Sequence, residues 1–267
     1  MAARIIAVSN QKGGVGKTTT AINLASALAM AEQRVLLVDL DPQANLTSGV
    51  GLKGQSDATI YHGLTSDTPD ASALVVATKV RNLSLIPADR HLTGAEVELV
   101  TLANRETRLH SLLAPLRDQF DVIFIDTPPS LGLLTLNALV AADAVLIPLT
   151  CEYFALEGLA DLVATLRRVR GSFNPSLDIA GVLLTMYDER TNLGQQVAKD
   201  IREFFQDRVY ETVIPRNVRL GEAPSHGIPA ILYDVKSRGA TAYVALAREF
   251  LARVPSAPPA YTEPHHG

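Results

Sequence analysis

Tryptophan is absent from the 267-residue chain, and aromatic residues make up only 5% of it. The interior must therefore be packed mainly with Ala, Val, Leu and Ile, in a sequence that is 47% hydrophobic. Charged residues contribute 19%, and this balance excludes a wholly disordered or fibrous chain. A folded chain of this length buries roughly 73% of its unfolded surface, which is sufficient for one self-contained core.

The single cysteine, Cys151, cannot form a disulfide within the chain. The six histidines are scattered, and neither they nor the cysteine occur at spacings typical of zinc ligands. These features predict a protein of a reducing compartment, such as the cytoplasm, that uses neither disulfides nor zinc.

Long hydrophobic runs and a large positive charge are also missing. The most apolar stretch, residues 131–149, is interrupted by Thr135, Asn137 and Asp143, so it does not predict a membrane span. The formal net charge is −4, and binding to nucleic acid would therefore require a local cluster of basic side chains.

Short β-branched runs alternate with longer segments that repeat apolar residues with the period of an α-helix. Nearly continuous apolar strands are typical of a sheet covered on both faces, so we predict an α/β three-layer sandwich with a mostly parallel central sheet. Strands are predicted over residues 5–8, 35–38, 83–86, 122–125, 144–147, 182–185 and 209–214, and helices over residues 18–31, 105–118, 157–170, 193–205 and 241–253.

No internal repeat or linker is visible, so residues 1–254 are predicted to form one domain. Residues 255–267 are rich in proline and lack periodicity, and we expect them to form a disordered tail. Because four prolines and no Lys or Arg follow Arg253, the tail does not have the pattern of a basic amphipathic membrane anchor.

The strongest functional signal is a glycine-rich loop between the first predicted strand and the first predicted helix, with the sequence Lys12-Gly13-Gly14-Val15-Gly16-Lys17-Thr18-Thr19. Glycines let backbone N–H groups turn inward around phosphate oxygens, and the helix N-terminus adds its dipole. Lys17 would reach the β- and γ-phosphates, and the Thr18 hydroxyl would ligate Mg²⁺. Gln11 replaces the first glycine of the ordinary pattern, and Lys12 is an additional lysine. The alternative is a glycine-rich turn with surface lysines.

Three aspartates stand where predicted strands end. Asp39 and Asp41 follow the second strand, and Asp126 follows the strand over residues 122–125. Ligands bind at the carboxyl edge of open α/β sheets, and a carboxylate there can hold Mg²⁺ through water. The alternative for Asp39 or Asp41 is that it caps the turn that precedes Pro42.

These motifs together resemble the ParA/MinD family of ATPases, whose deviant Walker A loop carries a signature lysine at the position of Lys12. Further matching segments begin at Val38, Ile125, Glu152 and Ile214, and the resemblance covers about residues 4–253. It is most detailed for the chromosomal ParA (Soj) branch. It implies a P-loop NTPase fold of the SIMIBI class and a face-to-face sandwich dimer that forms with ATP.

The resemblance also implies roles for individual residues. Lys12 would cross the dimer interface to the partner's phosphates, like an arginine finger. Asp41 would orient the attacking water and touch the Mg²⁺ shell, Asp126 would be the Walker B ligand, and Asp39 would lie nearer the metal or the loop. The implied catalytic set is Lys12, Lys17 and Asp41.

The adenine pocket of the family corresponds to Met186, Pro215 and Asn217, although Met186 could equally be a core residue. The Asn-Lys-x-Asp motif that recognises guanine is missing from the sequence, so adenine is the expected base.

Basic residues late in the chain are the candidates for DNA contacts: Arg190, Lys199, Arg202, Arg216, Arg219, Lys236 and Arg238. Residue counts alone favour ordinary surface charge. The resemblance favours nonspecific binding of double-stranded DNA by the dimer, with a salt slope near −5 if each subunit contacts about three phosphates.

The resemblance thus implies a slow, Mg²⁺-dependent ATPase of a DNA-partition system, located in the cytoplasm and associated with the nucleoid. Its ATP-bound homodimer would bind DNA and leave after hydrolysis stimulated by a ParB-like centromere-binding protein. A MinD-like positioning ATPase with a protein or membrane cargo is the alternative, and the tail argues against lipid binding. An amide ligase and a scaffold with little turnover also stay open, whereas an iron–sulfur reductase would need more cysteines than Cys151.

Overall fold

The computed structural model describes residues 2–152 and 155–253. Within this part of the chain the strands are β1 (Arg4–Val8), β2 (Val35–Asp39), β3 (Val76–Ala77), β4 (Leu83–Ile86), β5 (Val122–Asp126), β6 (Ala144–Thr150) and β7 (Asp178–Thr185). They form one sheet in the order β3-β4-β2-β5-β1-β6-β7, and every pair is parallel except β3 with β4. The predicted tail over residues 255–267 lies outside the described residues.

Helices cover both faces of this sheet. They are α1 (Lys17–Met30), α2 (Asn45–Gly49), α3 (Ile60–Thr65), α4 (Leu92–Leu99), α5 (Arg108–Leu113), α6 (Leu133–Ala141), α7 (Ala155–Ser172), α8 (Asn192–Phe205), α9 (Val218–Glu222), α10 (Ala230–Tyr233) and α11 (Arg238–Arg253). No helix in the described ranges has both the length and the apolar character needed to cross a membrane.

The strands alternate their side chains between two hydrophobic cores, as the period of two requires. Ile5 and Ala7 of β1 pack into the core beneath α3 to α8, whereas Ile6 and Val8 pack into the core beneath α1 and α11. The predicted three-layer sandwich with a mostly parallel sheet is therefore confirmed.

The register aligns the carboxyl ends of three strands. Val8 of β1 and Asp39 of β2 both lie beside Asp126 of β5. Because these three neighbouring strands end at the same level, the loops that follow them share one edge of the sheet.

The predicted strand over residues 209–214 is wrong. This segment runs beside β7, but it makes only one isolated bridge there, between Val209 and Val182. The N–H groups of Glu211 and Thr212 donate to the Glu249 carboxylate of α11 (2.8 and 2.9 Å) instead of to a strand. A side chain distant in sequence therefore interrupts the ladder.

The predicted helix over residues 105–118 is shorter than expected. It begins only at Arg108 and passes at Ala114 into a 3₁₀ turn that contains Pro115. Proline has no N–H with which to continue an α-helix, and its ring clashes with the preceding turn.

Candidate active site

The glycine-rich loop connects β1 to α1 in a conformation that requires glycine at two positions. Gly14 and Gly16 have φ values of +74° and +86°, in the left-handed region. Gly16 is the N-cap of α1, and no side chain caps this helix end. The first-turn N–H groups of a helix have no intrahelical partner, so this end is suited to an anion. Val15 points into the protein and is buried.

The two lysines of the loop occupy different environments. Lys17 is buried, and its Nζ donates to the carbonyl oxygen of Lys12 (3.1 Å). Burial lowers the pKa of Lys17, and the Asp126 and Asp41 carboxylates act in the opposite direction. Lys12 is partly exposed, and its Nζ contacts Oε2 of Glu152 (2.6 Å).

Asp126 and Thr18 form a compact oxygen pair below the loop. The Thr18 hydroxyl donates to Oδ2 of Asp126 (2.7 Å), whereas Oδ1 of Asp126 is buried without a hydrogen-bond partner. Burial, reinforced by the charges of Asp39 and Asp41, raises the pKa of Asp126 well above its usual range. A buried carboxylate oxygen that accepts no hydrogen bond can bind a metal ion instead. Together with the neighbouring hydroxyl, it provides oxygen ligands of the kind that Mg²⁺ prefers.

Asp39 holds the backbone rather than facing the cavity. Its Oδ2 accepts hydrogen bonds from the N–H and hydroxyl of Thr47 in α2 (2.8 and 2.7 Å), and its Oδ1 accepts from the N–H of Asp41 (3.2 Å). Burial raises the pKa of Asp39 to about 6. These hydrogen bonds tie Asp39 to Asp41 and α2, and none of them reaches the glycine-rich loop, so the expected place nearer the metal or that loop stays a prediction.

Asp41 reaches the cavity while it also caps a turn. Its Oδ1 accepts the N–H of Gln43 (2.9 Å), so the turn-capping alternative describes part of its role. Among the described residues, His, Cys, Asp and Glu form no group of three around a possible metal position. Protein ligands for Mg²⁺ would thus be few, as is usual where phosphates and water complete the shell.

A cavity of about 630 Å³ opens above the loop. Predicted residues that line it are Gly13, Gly14, Gly16, Lys17, Thr18, Thr19, Asp41 and Met186. The sequence reasoning missed Gln43, Asn45, Ser48, Pro129, Pro224 and Ser225 on its walls. Pro129 could have been predicted, because it closely follows Asp126 at the end of a strand. Nothing in the local sequence indicates that Pro224 or Ser225 lines the cavity.

A second cavity, of about 230 Å³, adjoins the first through Gly16, Thr19 and Met186. It collects all three residues predicted for an adenine pocket, Met186, Pro215 and Asn217, and Tyr243 of α11 also lines it. The Tyr243 hydroxyl lies 3.0 Å from that of Thr20 in α1, a contact that the sequence did not reveal.

The predicted basic residues separate into two groups. Arg190, Arg216 and Arg238 line a groove of about 680 Å³ on the far side of Pro215. The other four, Lys199, Arg202, Arg219 and Lys236, do not line it.

Several of these basic side chains are ion-paired. Arg190 contacts Asp188 (2.7 Å), and Arg219 contacts both Glu222 (2.7 Å) and Asp234 (3.3 Å). Lys199 lies 3.7 Å from Glu203 on α8. Pairing reduces the positive field that these residues can offer to a phosphate backbone.

Known proteins resemble this chain in sequence and in structure. A family model described as an AAA domain matches residues 3–179. The chain is 57% identical over 251 residues to the chromosome partitioning protein ParA of Myxococcus xanthus, covering 94% of this chain and 88% of the relative. It is 55% identical over 249 residues to the sporulation initiation inhibitor protein Soj of Bacillus subtilis, covering 93% and 98%.

A solved structure also matches over nearly the whole chain. Cobyrinic acid a,c-diamide synthase from Mycobacterium smegmatis, with a bound ATP analogue and magnesium, superimposes with a TM-score of 0.81 at 40% identity and covers 93% of this chain and 94% of its own. Each of the three relatives covers at least 93% of this chain.

Proposed function

This chain belongs to the ParA/Soj family of chromosome-partitioning ATPases, and from this premise we propose how its residues bind ATP, hydrolyse it and respond to DNA. The chain is an ATP-hydrolysing P-loop enzyme of a DNA-partition system, with ATP and Mg²⁺ as cofactors. The partition relatives are more similar to it than the diamide synthase is, so partition is favoured over amide ligation.

One observation supports the proposed nucleotide chemistry most directly: Lys17, Thr18 and Asp41 line one cavity, and Asp126 is bonded to Thr18. The loop N–H groups and Lys17 hold the phosphates. Thr18 and Asp126, with Asp41 at the edge of the shell, are the residues that would hold Mg²⁺. Bound Mg²⁺ would neutralise phosphate charge in the transition state.

The remaining loop residues and the adjoining cavity complete the nucleotide site. Adenine occupies the pocket lined by Met186, Pro215 and Asn217. Asp41 orients the attacking water. Lys12 acts in trans, where it delivers a positive charge to the phosphates of a second copy.

The ATP-bound dimer binds double-stranded DNA without sequence preference, and a ParB-like centromere-binding protein stimulates hydrolysis and release. The groove lined by Arg190, Arg216 and Arg238 supports this proposal, because it brings three of the candidate arginines to one surface beside the base pocket. Asp188 and Glu189 line the same groove, and Asp188 is paired with Arg190, so Arg216 and Arg238 would supply most of the positive charge. We place the protein in the cytoplasm, on the nucleoid.

Size-exclusion chromatography and DNA-binding measurements with ADP and with a non-hydrolysable ATP analogue test this function at two salt concentrations. We expect a monomer that binds DNA weakly with ADP, and a dimer that binds DNA in a salt-sensitive way with the analogue. Lys17→Ala should abolish nucleotide binding and both responses. A chain that stays monomeric at saturating Mg²⁺ and analogue would contradict the proposal.

A further inference from the structure

The ammonium group proposed to act in trans is already paired within its own chain. Lys12 Nζ lies 2.6 Å from Glu152 Oε2, and the two side chains are 38% and 54% exposed. Glu152 lies just beyond the carboxyl end of β6, after Cys151, and its N–H donates to the carbonyl of Thr150 (2.9 Å). Sequence reasoning gave Glu152 no role.

The end of β6 holds Lys12 at two separate points. Asn10 donates from its side-chain amide to the carbonyl of Pro148 in β6 (2.8 Å), and its Oδ1 accepts the N–H of Lys12 (2.9 Å). The backbone of Lys12 is therefore tied to the strand through Asn10, and its tip is tied through Glu152. One of these contacts is with β6 and the other is with a residue just beyond it, and together they restrain where the ammonium group points.

The position of Lys12 in the free protomer competes with a role across a dimer interface. The Glu152 carboxylate, 2.6 Å away, offsets the Lys12 charge within the same chain, so phosphates of a second copy would have to compete with this carboxylate for the ammonium group. We therefore propose that Glu152 is a positioning residue that retains Lys12 in the free protomer, and that dimer formation must first break this ion pair. The proposal rests on the trans role of Lys12 given under Proposed function.

The size of the effect follows from the exposure of the pair. A partly exposed ion pair stabilises the state that contains it by up to about 1 kcal/mol. Because 1.4 kcal/mol corresponds to a factor of ten, this is about fivefold in an equilibrium constant. A symmetric dimer breaks two such pairs, so the two factors multiply to about 25-fold in the dimer dissociation constant. The Glu152 pair would thus raise the concentration at which ATP assembles the dimer.

Sedimentation of the full chain with Mg²⁺ and a non-hydrolysable ATP analogue tests the proposal. Glu152→Gln keeps the shape and removes the charge, and we expect it to lower the dimer dissociation constant by about 5- to 25-fold. The dimer dissociation constant of Glu152→Asp should lie between those of Glu152→Gln and wild type. Glu211→Gln, which removes an exposed carboxylate outside the site, should leave the constant unchanged. A Glu152→Gln constant equal to or weaker than that of wild type overturns the proposal.

Removing a carboxylate near the loop could also strengthen ATP binding directly. The Lys12→Ala background separates the two effects, because it has no pair to break. In that background Glu152→Gln should change the affinity of the monomer for the analogue by less than about twofold. If Glu152→Gln raised the affinity of the monomer for the analogue equally with and without Lys12, the effect would belong to general electrostatics, and the ion pair would be rejected as its cause.

The free protomer offers a readout that needs no dimer. Acylation of Lys12 by an N-hydroxysuccinimide ester, followed by mass spectrometry without nucleotide, reports how well its amine is protected. Glu152→Gln should accelerate acylation of Lys12 about two- to fivefold, with exposed Lys53 as the internal reference. Unchanged acylation overturns the proposal, whereas accelerated acylation in a chain that never dimerises would retain the ion pair and refute only the trans role.

Discussion

At the scale of single residues, the site combines groups that are satisfied with one that is not. Asp39 uses both of its carboxylate oxygens on backbone and hydroxyl donors, whereas Asp126 leaves one oxygen buried without a partner. A buried acceptor without a donor is destabilising, so the fold tolerates Asp126 at a cost in stability. Such an imbalance is typical of positions retained for a ligand.

Replacing Asp126 should therefore shift stability and function in opposite directions. Asp126→Asn keeps an oxygen for the Thr18 hydroxyl and removes the charge of a buried carboxylate whose Oδ1 has no hydrogen-bond partner, so we expect the free energy of unfolding to rise by about 1 kcal/mol. The same change weakens the Mg²⁺ site, so Mg²⁺ should no longer tighten ATP binding. Urea unfolding and fluorescent-nucleotide titrations with and without Mg²⁺ measure the two effects. A destabilised variant with normal Mg²⁺ dependence would contradict this assignment.

Asp41 has a structural and a proposed chemical role, and two substitutions separate them. Asp41→Asn keeps an oxygen to accept the N–H of Gln43, whereas Asp41→Ala removes it. We expect both variants to slow ATP turnover by about 10²- to 10⁴-fold, because neither has the carboxylate that is proposed to orient the attacking water. Only Asp41→Ala should lose stability, by about 1 kcal/mol. Normal turnover in Asp41→Asn would show that the carboxylate is not needed for hydrolysis.

At the scale of elements, local pattern predicted the six parallel strands and the loop that connects β1 to α1, because buried parallel strands and phosphate loops have strong local signatures. It missed the two-residue antiparallel strand β3. It failed where distant groups decide the structure. The segment over residues 209–214 reads as a strand, yet Glu249 withdraws two of its N–H groups from the sheet. Likewise, no local signal places Glu152 against Lys12, since 140 residues separate them.

Two loops meet at a pair of glycines that the sequence does not connect. Gly51 follows α2 and Gly227 precedes α10, and a Cβ added to Gly227 would lie 2.6 Å from the Cα of Gly51. This contact joins the segment of Asp41 to the segment that follows α9. Two segments that line the larger cavity are therefore in direct backbone contact with each other.

Gly227→Ala should lower the free energy of unfolding through both backbone strain and a steric clash, and Gly54→Ala isolates the strain. Both glycines have positive φ, +63° and +69°, but nothing lies within 4 Å of a Cβ at Gly54. We expect Gly54→Ala to lose about 1 kcal/mol through backbone strain alone. Gly227→Ala should lose about 1–3 kcal/mol more through the clash. Chemical denaturation of both variants gives the difference, and equal losses would mean that the two loops separate freely.

At the scale of the whole molecule, the chain carries a net charge of −4 and is still proposed to bind DNA. The proposal depends on local rather than net charge: Arg190, Arg216 and Arg238 line one groove, together with Asp188 and Glu189. Sequence reasoning named the three arginines among seven candidates, but it could not group them, since their grouping depends on how β7 and α11 pack. A local cluster of this kind acts over short distances and is sensitive to salt.

Arg238 is the residue with which to test that groove, because it lines the groove and not the base pocket, unlike Arg216. Arg238→Glu should leave the affinity of the monomer for ATP unchanged and weaken DNA binding by the dimer. Each phosphate contact contributes about −0.9 to the slope of log K against log[salt], so a dimer that loses two contacts should show a slope shallower by about 1.8.

The same charge change elsewhere provides the control for that slope. Arg81→Glu alters an exposed arginine before β4, at the opposite edge of the sheet from the nucleotide site. It should lower DNA affinity only slightly and keep the wild-type slope, because a distant charge acts through the screened field and releases no counterion. Fluorescence anisotropy with a short duplex at four salt concentrations measures both slopes. If Arg238→Glu and Arg81→Glu gave the same slope, the DNA would lie on a different surface, and the groove would have to be assigned another role.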